Sequence, residues 1–385
     1  MATPEPQQKT LRAKLAGGAI MLLTAGLYYL MIQHDDRLMY GDMVNWMIVI
    51  SERGFPAMAG EYAGYPPTYL YLLGLVSPLR IILSPVVLIK AVAVSFNLIG
   101  TLFVGLIIKE MTRVDTTQFL ASILFLLLPT VAVESALWAQ ADIIYVVFLL
   151  AFFLCTLKGQ SLNAMICFGV AFSFKLQSIF ISPYILYLLL CRNIRWRDLA
   201  AVPLTYIVLM FPAHYAGRPW LELFGIYVFQ ANIPYGLSAQ APNFYMFVQK
   251  FALVSHALGT RIGMALAVVG GLAIAIAGKL RLPTTKENKL LVAVASLLLI
   301  PFLLPQMHER YFFAADVFSY VMAFVIAGAW PVAAMMQCAS LLAYSVYLIH
   351  FGRGPYIGAL FSLSAIVFVY RMLINRMKTS DKVHT

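Results

Sequence analysis

The side chains capable of chemistry occur in four polar segments of a largely apolar chain and at one isolated lysine, Lys175. The first runs from His34 to Asp42 and includes Asp35 and Asp36. Asp42 precedes an amphipathic helical pattern, and Trp46 follows it by four residues on the same helical face. The Asp42 carboxylate has two interpretations: it caps the start of that helix, or it is a general base that takes a proton from a substrate hydroxyl.

The second segment is Gly64-Tyr65-Pro66-Pro67, whose two prolines force an extended turn. It forms either a structural corner alone or a corner that places Tyr65 in a site. The third segment follows a long apolar run. It contains the residues Glu134, Trp138, Gln140 and Asp142. Acidic residues at a membrane boundary cost little when they are solvated, so an interfacial belt is the alternative to a substrate site.

Cationic side chains mark the remaining positions. Lys175 lies within 172–177, at a break between two apolar runs. A lysine at membrane depth either binds an anion or extends its amine to the interface. His308, Glu309 and Arg310 lie together between two apolar runs. They form either a solvated turn or a site for anion binding and proton transfer.

Composition defines the elements that must position these groups. Hydrophobic residues make up 62% of the 385 residues, charged residues only 11%, and the mean hydropathy is +0.85. These values exclude a soluble globular protein, a disordered chain and a nucleic-acid-binding domain, because soluble domains are about 25% charged. The net charge of +11 is therefore attributed to loops that set membrane orientation, and no nucleic-acid partner is expected.

Hydropathy predicts an all-α polytopic membrane protein with about twelve transmembrane helices in a single domain, 1–385. The apolar runs lie at 15–33, 86–108, 118–133, 142–157, 161–174, 176–190, 198–214, 260–278, 289–305, 311–328, 331–349 and 355–375. With both termini in the cytoplasm, most of the Lys and Arg residues lie inside, as the positive-inside rule requires.

The same topology places all four polar segments at the outer side. Residues 67–83 are interpreted as a helix on the outer membrane surface, because counting them as a span would invert the charge bias. The remaining parts are two cytoplasmic tails, 1–14 and 376–385, and two long outer loops, 34–85 and 215–259.

In this order, the polar segments resemble motifs of the GT-C glycosyltransferases, integral membrane enzymes that use polyprenyl-phosphate sugars. The similarity is greatest to the dolichyl-phosphate-glucose glucosyltransferases and to bacterial proteins related to GPI mannosyltransferase II. It covers roughly residues 15–325, with Gly64 where those relatives have Asp. The matching motifs are Tyr40-Gly41-Asp42 with Trp46, Tyr65-Pro66-Pro67, Trp138-Ala139-Gln140-Ala141-Asp142, Phe174-Lys175-Leu176-Gln177 and His308-Glu309-Arg310.

The resemblance implies an inverting hexosyltransferase of the outer or lumenal face. Asp42 would be the catalytic base, and Lys175, His308 and Arg310 would bind the donor phosphate. The implied substrate contacts are Trp46, Tyr65, Trp138, Gln140, Asp142 and Glu309. The implied partners are a polyprenyl-phosphate glucose or mannose donor, a glycan or glycolipid acceptor, and membrane lipids.

No cofactor is expected, and no metal, although Asp35 and Asp36 are an alternative metal pair. The expected location is a bacterial inner membrane, or the endoplasmic reticulum membrane in a eukaryote. Two other functions compete with the enzyme: a transporter or flippase of lipid-linked saccharides, and a non-catalytic scaffold. A transporter would place its polar groups near the bilayer midplane, whereas here they gather at one side.

Overall fold

The computed structural model describes residues 6–34, 41–60, 62–233 and 236–383, and helix accounts for about 80% of the chain. The predicted all-α class is confirmed. The α-helices are α1 Pro6–Gln33, α2 Gly41–Arg53, α3 Pro67–Val76, α4 Pro85–Thr112, α5 Asp115–Leu126, α6 Pro129–Ala132, α7 Asp142–Leu157, α8 Ser161–Phe174, α9 Ser182–Leu190, α10 Ala201–Tyr215, α11 Trp220–Ala231, α12 Tyr245–Lys250, α13 His256–Arg281, α14 Lys286–Leu303, α15 Phe313–Val325, α16 Trp330–Leu348 and α17 Gly354–Val383.

Short elements of other kinds connect these helices. A π-helical turn covers Val133–Leu137, and two short strands, β1 Ser238–Ala239 and β2 Met307–His308, pair in parallel. The 3₁₀ helices are Phe55–Ala59, Ser77–Ile81, Leu176–Ile181 and Trp196–Ala200. The π turn and the strand pair both occur next to polar segments singled out by the sequence.

Among the residues that the structure describes, four helices are long and apolar enough to cross a membrane: α4, α13, α16 and the Gly354–Thr379 part of α17. Two bent helix pairs raise the number to six if each pair is one span. They are Asp115–Leu126 with Pro129–Leu137, bent by 44°, and Trp196–Tyr215 with Trp220–Ala231, bent by 114°. Each predicted apolar run is mostly helical, but the run 118–133 is divided between α5 and α6. Five apolar helical segments have only 10–17 residues: Gly17–Gln33, Asp142–Leu157, Ser161–Phe174, Leu176–Leu190 and Phe313–Val325. A single helix of about 20 residues is needed to cross the hydrocarbon layer.

Helix α7 lies at the centre of the packing. All of its residues are buried except Phe148 and Cys155, which are half-buried. Its sequence is apolar on every face after Asp142, which is typical of a helix surrounded by other helices. It packs against α4, α8 and α15. The first residue of α7, Asp142, therefore lies inside the protein, away from solvent.

The first outer loop predicted at 34–85 contains α2, α3 and the turn at Pro66 and Pro67. The sulfur of Met43 lies 3.7 Å from the Tyr69 hydroxyl, and the Trp46 and Tyr65 rings are 5.3 Å apart. Amphipathic α2 thus packs its apolar face on α3. The segment 67–83 is largely helical, as α3 followed by the 3₁₀ helix Ser77–Ile81.

Close packing of α8 against α10 depends on Gly169, and this gives a stability prediction. A Cβ at Gly169 would lie 2.8 Å from the Thr205 Cβ and 3.2 Å from the Val202 Cα, so the two helices would have to separate. We expect Gly169→Ala to destabilise the protein by about 1–3 kcal/mol. The measurement is thermal unfolding in detergent.

The matched control is Gly26→Ala in α1, where a Cβ meets nothing within 4 Å. That change is expected to be neutral or slightly stabilising, because alanine favours helix over glycine by about 1 kcal/mol. Equal melting temperatures for the two variants would contradict the proposed helix contact.

Candidate functional site

Two cations from distant parts of the chain meet on one buried carboxylate. The Lys175 ammonium pairs with Asp142 Oδ1, and the Arg310 Nε lies 3.2 Å from Asp142 Oδ2. Asp142 is fully buried and Lys175 is 8% exposed. Because charges removed from water are costly unless they are paired, this three-residue ion cluster is held in one arrangement.

The local sequence explains how Lys175 reaches this position. Helix α8 ends at Phe174, and Lys175 has an extended backbone, with φ −156° and ψ 135°, before the next 3₁₀ helix. The Thr68 hydroxyl donates to the Ser173 carbonyl at 2.7 Å, which fixes the proline corner against the end of α8. The break predicted from the two short apolar runs is therefore the feature that turns the lysine inward.

Further acidic groups surround the ion cluster. Arg310 Nη1 lies 3.7 Å from Glu309 Oε1, and His308 Nδ1 lies 3.6 Å from Glu309 Oε2. Glu134, on the π-helical turn, is fully buried and interacts with Asp142. π-Helical turns are frequent at functional sites. Three carboxyl groups and two permanent cations thus share one small volume.

A cavity of about 130 Å³ opens beside the two cations. Both the Tyr65 and Tyr311 ring centres lie 5.8 Å from the Lys175 Nζ. The cavity has an aromatic wall and a cationic wall. Its lining residues are Gly64, Tyr65, Pro66, Lys175, Gln177, Gln230, Ile233, His308, Arg310 and Tyr311.

Asp42 lies on α2, outside the lining of this cavity. It is the second residue of the helix rather than the residue before it, and it is exposed. Trp46, one helical turn further along, contacts Tyr65, which lines the cavity. Asp42 is thus about 6 Å along the helix axis from Trp46, and it reaches the aromatic wall only through the contact of Trp46 with Tyr65. Tyr40, Asp35 and Asp36 lie outside the described residues.

Trp138, Gln140 and Asp142 are not in the lining of this cavity, and Asp142 is the one of the three that contacts both cations. The Trp138 ring packs against Tyr344 and Tyr347, with ring centres 5.3 and 5.5 Å apart, and both Trp138 and Gln140 are buried. Ala139, between them, has a left-handed φ of 59°, which non-glycine residues rarely adopt. In this arrangement Asp142 contacts the predicted phosphate-binding side chains and orients them.

Three lining residues, Gln177, Gln230 and Tyr311, had no predicted role. Gln177 and Tyr311 lie within two residues of the predicted cations Lys175 and Arg310 in the sequence. This proximity is the sequence feature that could have identified them as cavity residues. Gln230 comes from apolar α11, where it donates to the Gly64 carbonyl, and nothing in the local sequence indicates that contact.

The segment predicted as the second outer loop also contributes to the site. Strand β1 pairs with β2 so that Ala239 aligns with His308. The backbone N–H of Gln306 donates to the Leu237 carbonyl at 2.8 Å. This pairing fixes the backbone that carries His308 and Arg310. Within the described segments, no three His, Cys, Asp or Glu side chains are grouped to hold a metal ion.

The ion cluster predicts a large stability effect at its centre. Asp142→Ala leaves Lys175 and Arg310 without their shared carboxylate, so we expect a loss of about 3–5 kcal/mol. The control is Asp115→Ala, which breaks the exposed Lys109–Asp115 pair of 3.5 Å. Such surface pairs contribute less than about 1 kcal/mol. Thermal unfolding in detergent measures both, and comparable losses would show that the buried cluster is not a stabilising unit.

Comparison with known proteins gives no direct assignment of this site. No protein-family model matches the chain, and no curated protein shows significant similarity to it. The cavity, its cations and its aromatic wall are therefore the basis on which a function is inferred.

Proposed function

We propose that the protein is an inverting hexosyltransferase of the GT-C type that uses a polyprenyl-phosphate sugar. The observation that carries the proposal is the common cavity of Lys175, His308 and Arg310, which come from segments far apart in the chain. In the proposed topology all twelve apolar segments cross or enter the membrane, both termini are cytoplasmic, and the cavity opens at the outer face. A bacterial inner membrane is the proposed location.

The donor phosphate is the natural ligand of the cationic wall. When the glycosidic bond to a lipid phosphate breaks, negative charge develops on the leaving oxygen, and no general acid is needed. Lys175 and Arg310 supply charge-assisted hydrogen bonds to such oxygens, and His308 adds a further donor. Asp142 keeps both cations oriented before the substrate arrives, so little reorganisation is required during the reaction.

The aromatic wall is the proposed contact for the transferred hexose, glucose or mannose, or for the first isoprenoid unit. Tyr65 forms this wall, and Trp46 packs behind it. Glu309 holds His308 and Arg310 from the opposite side. The acceptor is a glycan or a glycolipid.

Asp42 is the proposed general base. It is an exposed carboxylate one helical turn from Trp46, which contacts the cavity residue Tyr65, and exposure leaves it able to accept a proton from an acceptor hydroxyl. Asp142 is unsuited to this role because two cations already occupy its oxygens. Direct attack by the acceptor oxygen on the anomeric carbon inverts its configuration.

The base assignment predicts the behaviour of Asp42→Asn. We expect purified wild-type protein, given polyprenyl-phosphate hexoses and a membrane lipid extract, to release free polyprenyl phosphate. In the variant, release falls by at least about a hundredfold, since a positioned base contributes roughly 10²–10⁴-fold. Folding should persist because the Asp42 side chain is exposed.

The matched control is Glu52→Gln, which neutralises another exposed carboxylate on α2. It should release polyprenyl phosphate at the wild-type rate. Full turnover by Asp42→Asn would exclude Asp42 as the base. Saccharide translocation in liposomes without any turnover would instead identify a transporter.

The same chemistry predicts independence from metal ions, since Lys175 and Arg310 neutralise the leaving phosphate. Polyprenyl phosphate release should be unchanged after EDTA treatment. Loss of activity with EDTA, restored by Mg²⁺ or Mn²⁺, would contradict this and favour a metal role for Asp35 and Asp36.

A further inference from the structure

A second polar cavity lies next to the cavity lined by Lys175, His308 and Arg310, which is called the donor cavity below. It has a volume of about 190 Å³, and Gly64 contributes to the walls of both cavities. Its other lining residues are Ala63, Arg218, Glu222, Gly225, Ile226 and Phe229. Helix α11 and the corner before Pro66 thus enclose a space that the proposed donor chemistry does not use.

The guanidinium of Arg218 is the distinctive group of this cavity. Arg218 is only 4% exposed, and its Nε and Nη1 atoms are buried without hydrogen-bond partners among the residues that the structure describes. Its ion pair with Glu222 is long, 3.8 Å from Nε to Oε2, which exceeds hydrogen-bond distance. A buried cation with unused donors is costly, so a bound group that accepts those hydrogen bonds would be strongly favoured.

The backbone around Arg218 is fixed before any ligand binds. Its amide donates to the Ala213 carbonyl at 3.0 Å, and its carbonyl accepts from His214 Nδ1 at 3.0 Å. The tight turn at Gly217 has φ +116°, a conformation that suits glycine. The His214 ring also stacks on Trp220, with ring centres 4.5 Å apart. The guanidinium is therefore presented by a rigid support.

We propose that the Arg218 cavity binds an anionic oxygen substituent, a phosphate or a carboxylate, carried by the acceptor. This inference rests on the proposed transferase function and names the acceptor class. Cavities for whole drug-sized ligands measure about 300–1,000 Å³, so this smaller space suits one substituent. An acceptor anchored here lies directly beside the donor cavity, across Gly64.

Gly64 lies in the lining of both cavities. A Cβ placed on it would meet nothing within 4 Å. A side chain introduced at this position therefore enters open space without displacing the backbone. Gly64→Asp would supply a carboxylate inside the chain, in the wall of the same cavity as Arg218, and would compete with an external anion.

The test is calorimetric titration of inorganic phosphate into the full chain in nanodiscs of neutral lipid. We expect wild-type protein to bind phosphate at two sites, and Arg218→Gln to weaken one of them by at least about tenfold. Arg261→Gln, which removes an exposed outer arginine, should leave both sites unchanged. Identical binding by wild type and Arg218→Gln would overturn the proposal.

A second pair of variants tests the charge without touching Arg218. Gly64→Asp should abolish the Arg218-dependent site, whereas Gly64→Asn, of the same shape but neutral, should retain it. Loss in both variants would mean that bulk at this position, and not charge, matters, and would overturn the proposal.

The double variant Asp142→Asn/Lys175→Gln distinguishes the donor site from the Arg218 site. It removes the Lys175 cation of the donor site together with the charge of its partner, Asp142. It should eliminate only the other phosphate site. If it eliminates neither, the donor assignment fails while the Arg218 proposal stands. The anion's source follows from competition: displacement of phosphate by glucuronate indicates an acidic saccharide, and displacement by phosphatidylglycerol vesicles, but not phosphatidylcholine vesicles, indicates a lipid headgroup.

Discussion

The buried carboxylate of Asp142, shared by Lys175 and Arg310, is the interaction on which the site depends. It is the first residue of the most enclosed helix, where water cannot solvate a charge. Lys175 and Arg310 therefore pair with it inside the protein. These pairs hold the end of α8, which precedes Lys175, and the segment before α15, which contains Arg310, next to Asp142. A single ion cluster thus fixes three separate parts of the chain at one end of the helix bundle.

The helix bundle around this ion cluster shields its charges from water. Helix α7 is apolar on all faces, and α4, α8 and α15 exclude solvent from its length. In such surroundings the attraction between opposite charges is far stronger than at a surface. The cations are consequently held with their remaining donors toward the cavity, and the aromatic corner at Tyr65 closes the opposite side.

Two loop segments contribute to the site, and they do so with little regular structure. Paired strands β1 and β2 fix the backbone of His308, while Gln230 donates a hydrogen bond to the Gly64 carbonyl. Gly64 lies in the lining of two polar cavities, one with Lys175 and Arg310 and the other with Arg218. The proposed transferase reaction brings two ligands together, and two neighbouring cavities would give each ligand its own place.

The sequence by itself determined the features that local physics controls. Apolar runs specified the helices, the double proline specified the corner at Pro66, and the interruption at Lys175 specified the break after α8. It also singled out Lys175, His308 and Arg310. Only the tertiary structure decided that Asp142 orients these cations, that Trp138 packs against Tyr344 outside the cavity lining, and that Arg218 lines a second cavity. Those outcomes depend on which distant segments pack together, and neither hydropathy nor spacing along the chain encodes the partner of a buried charge.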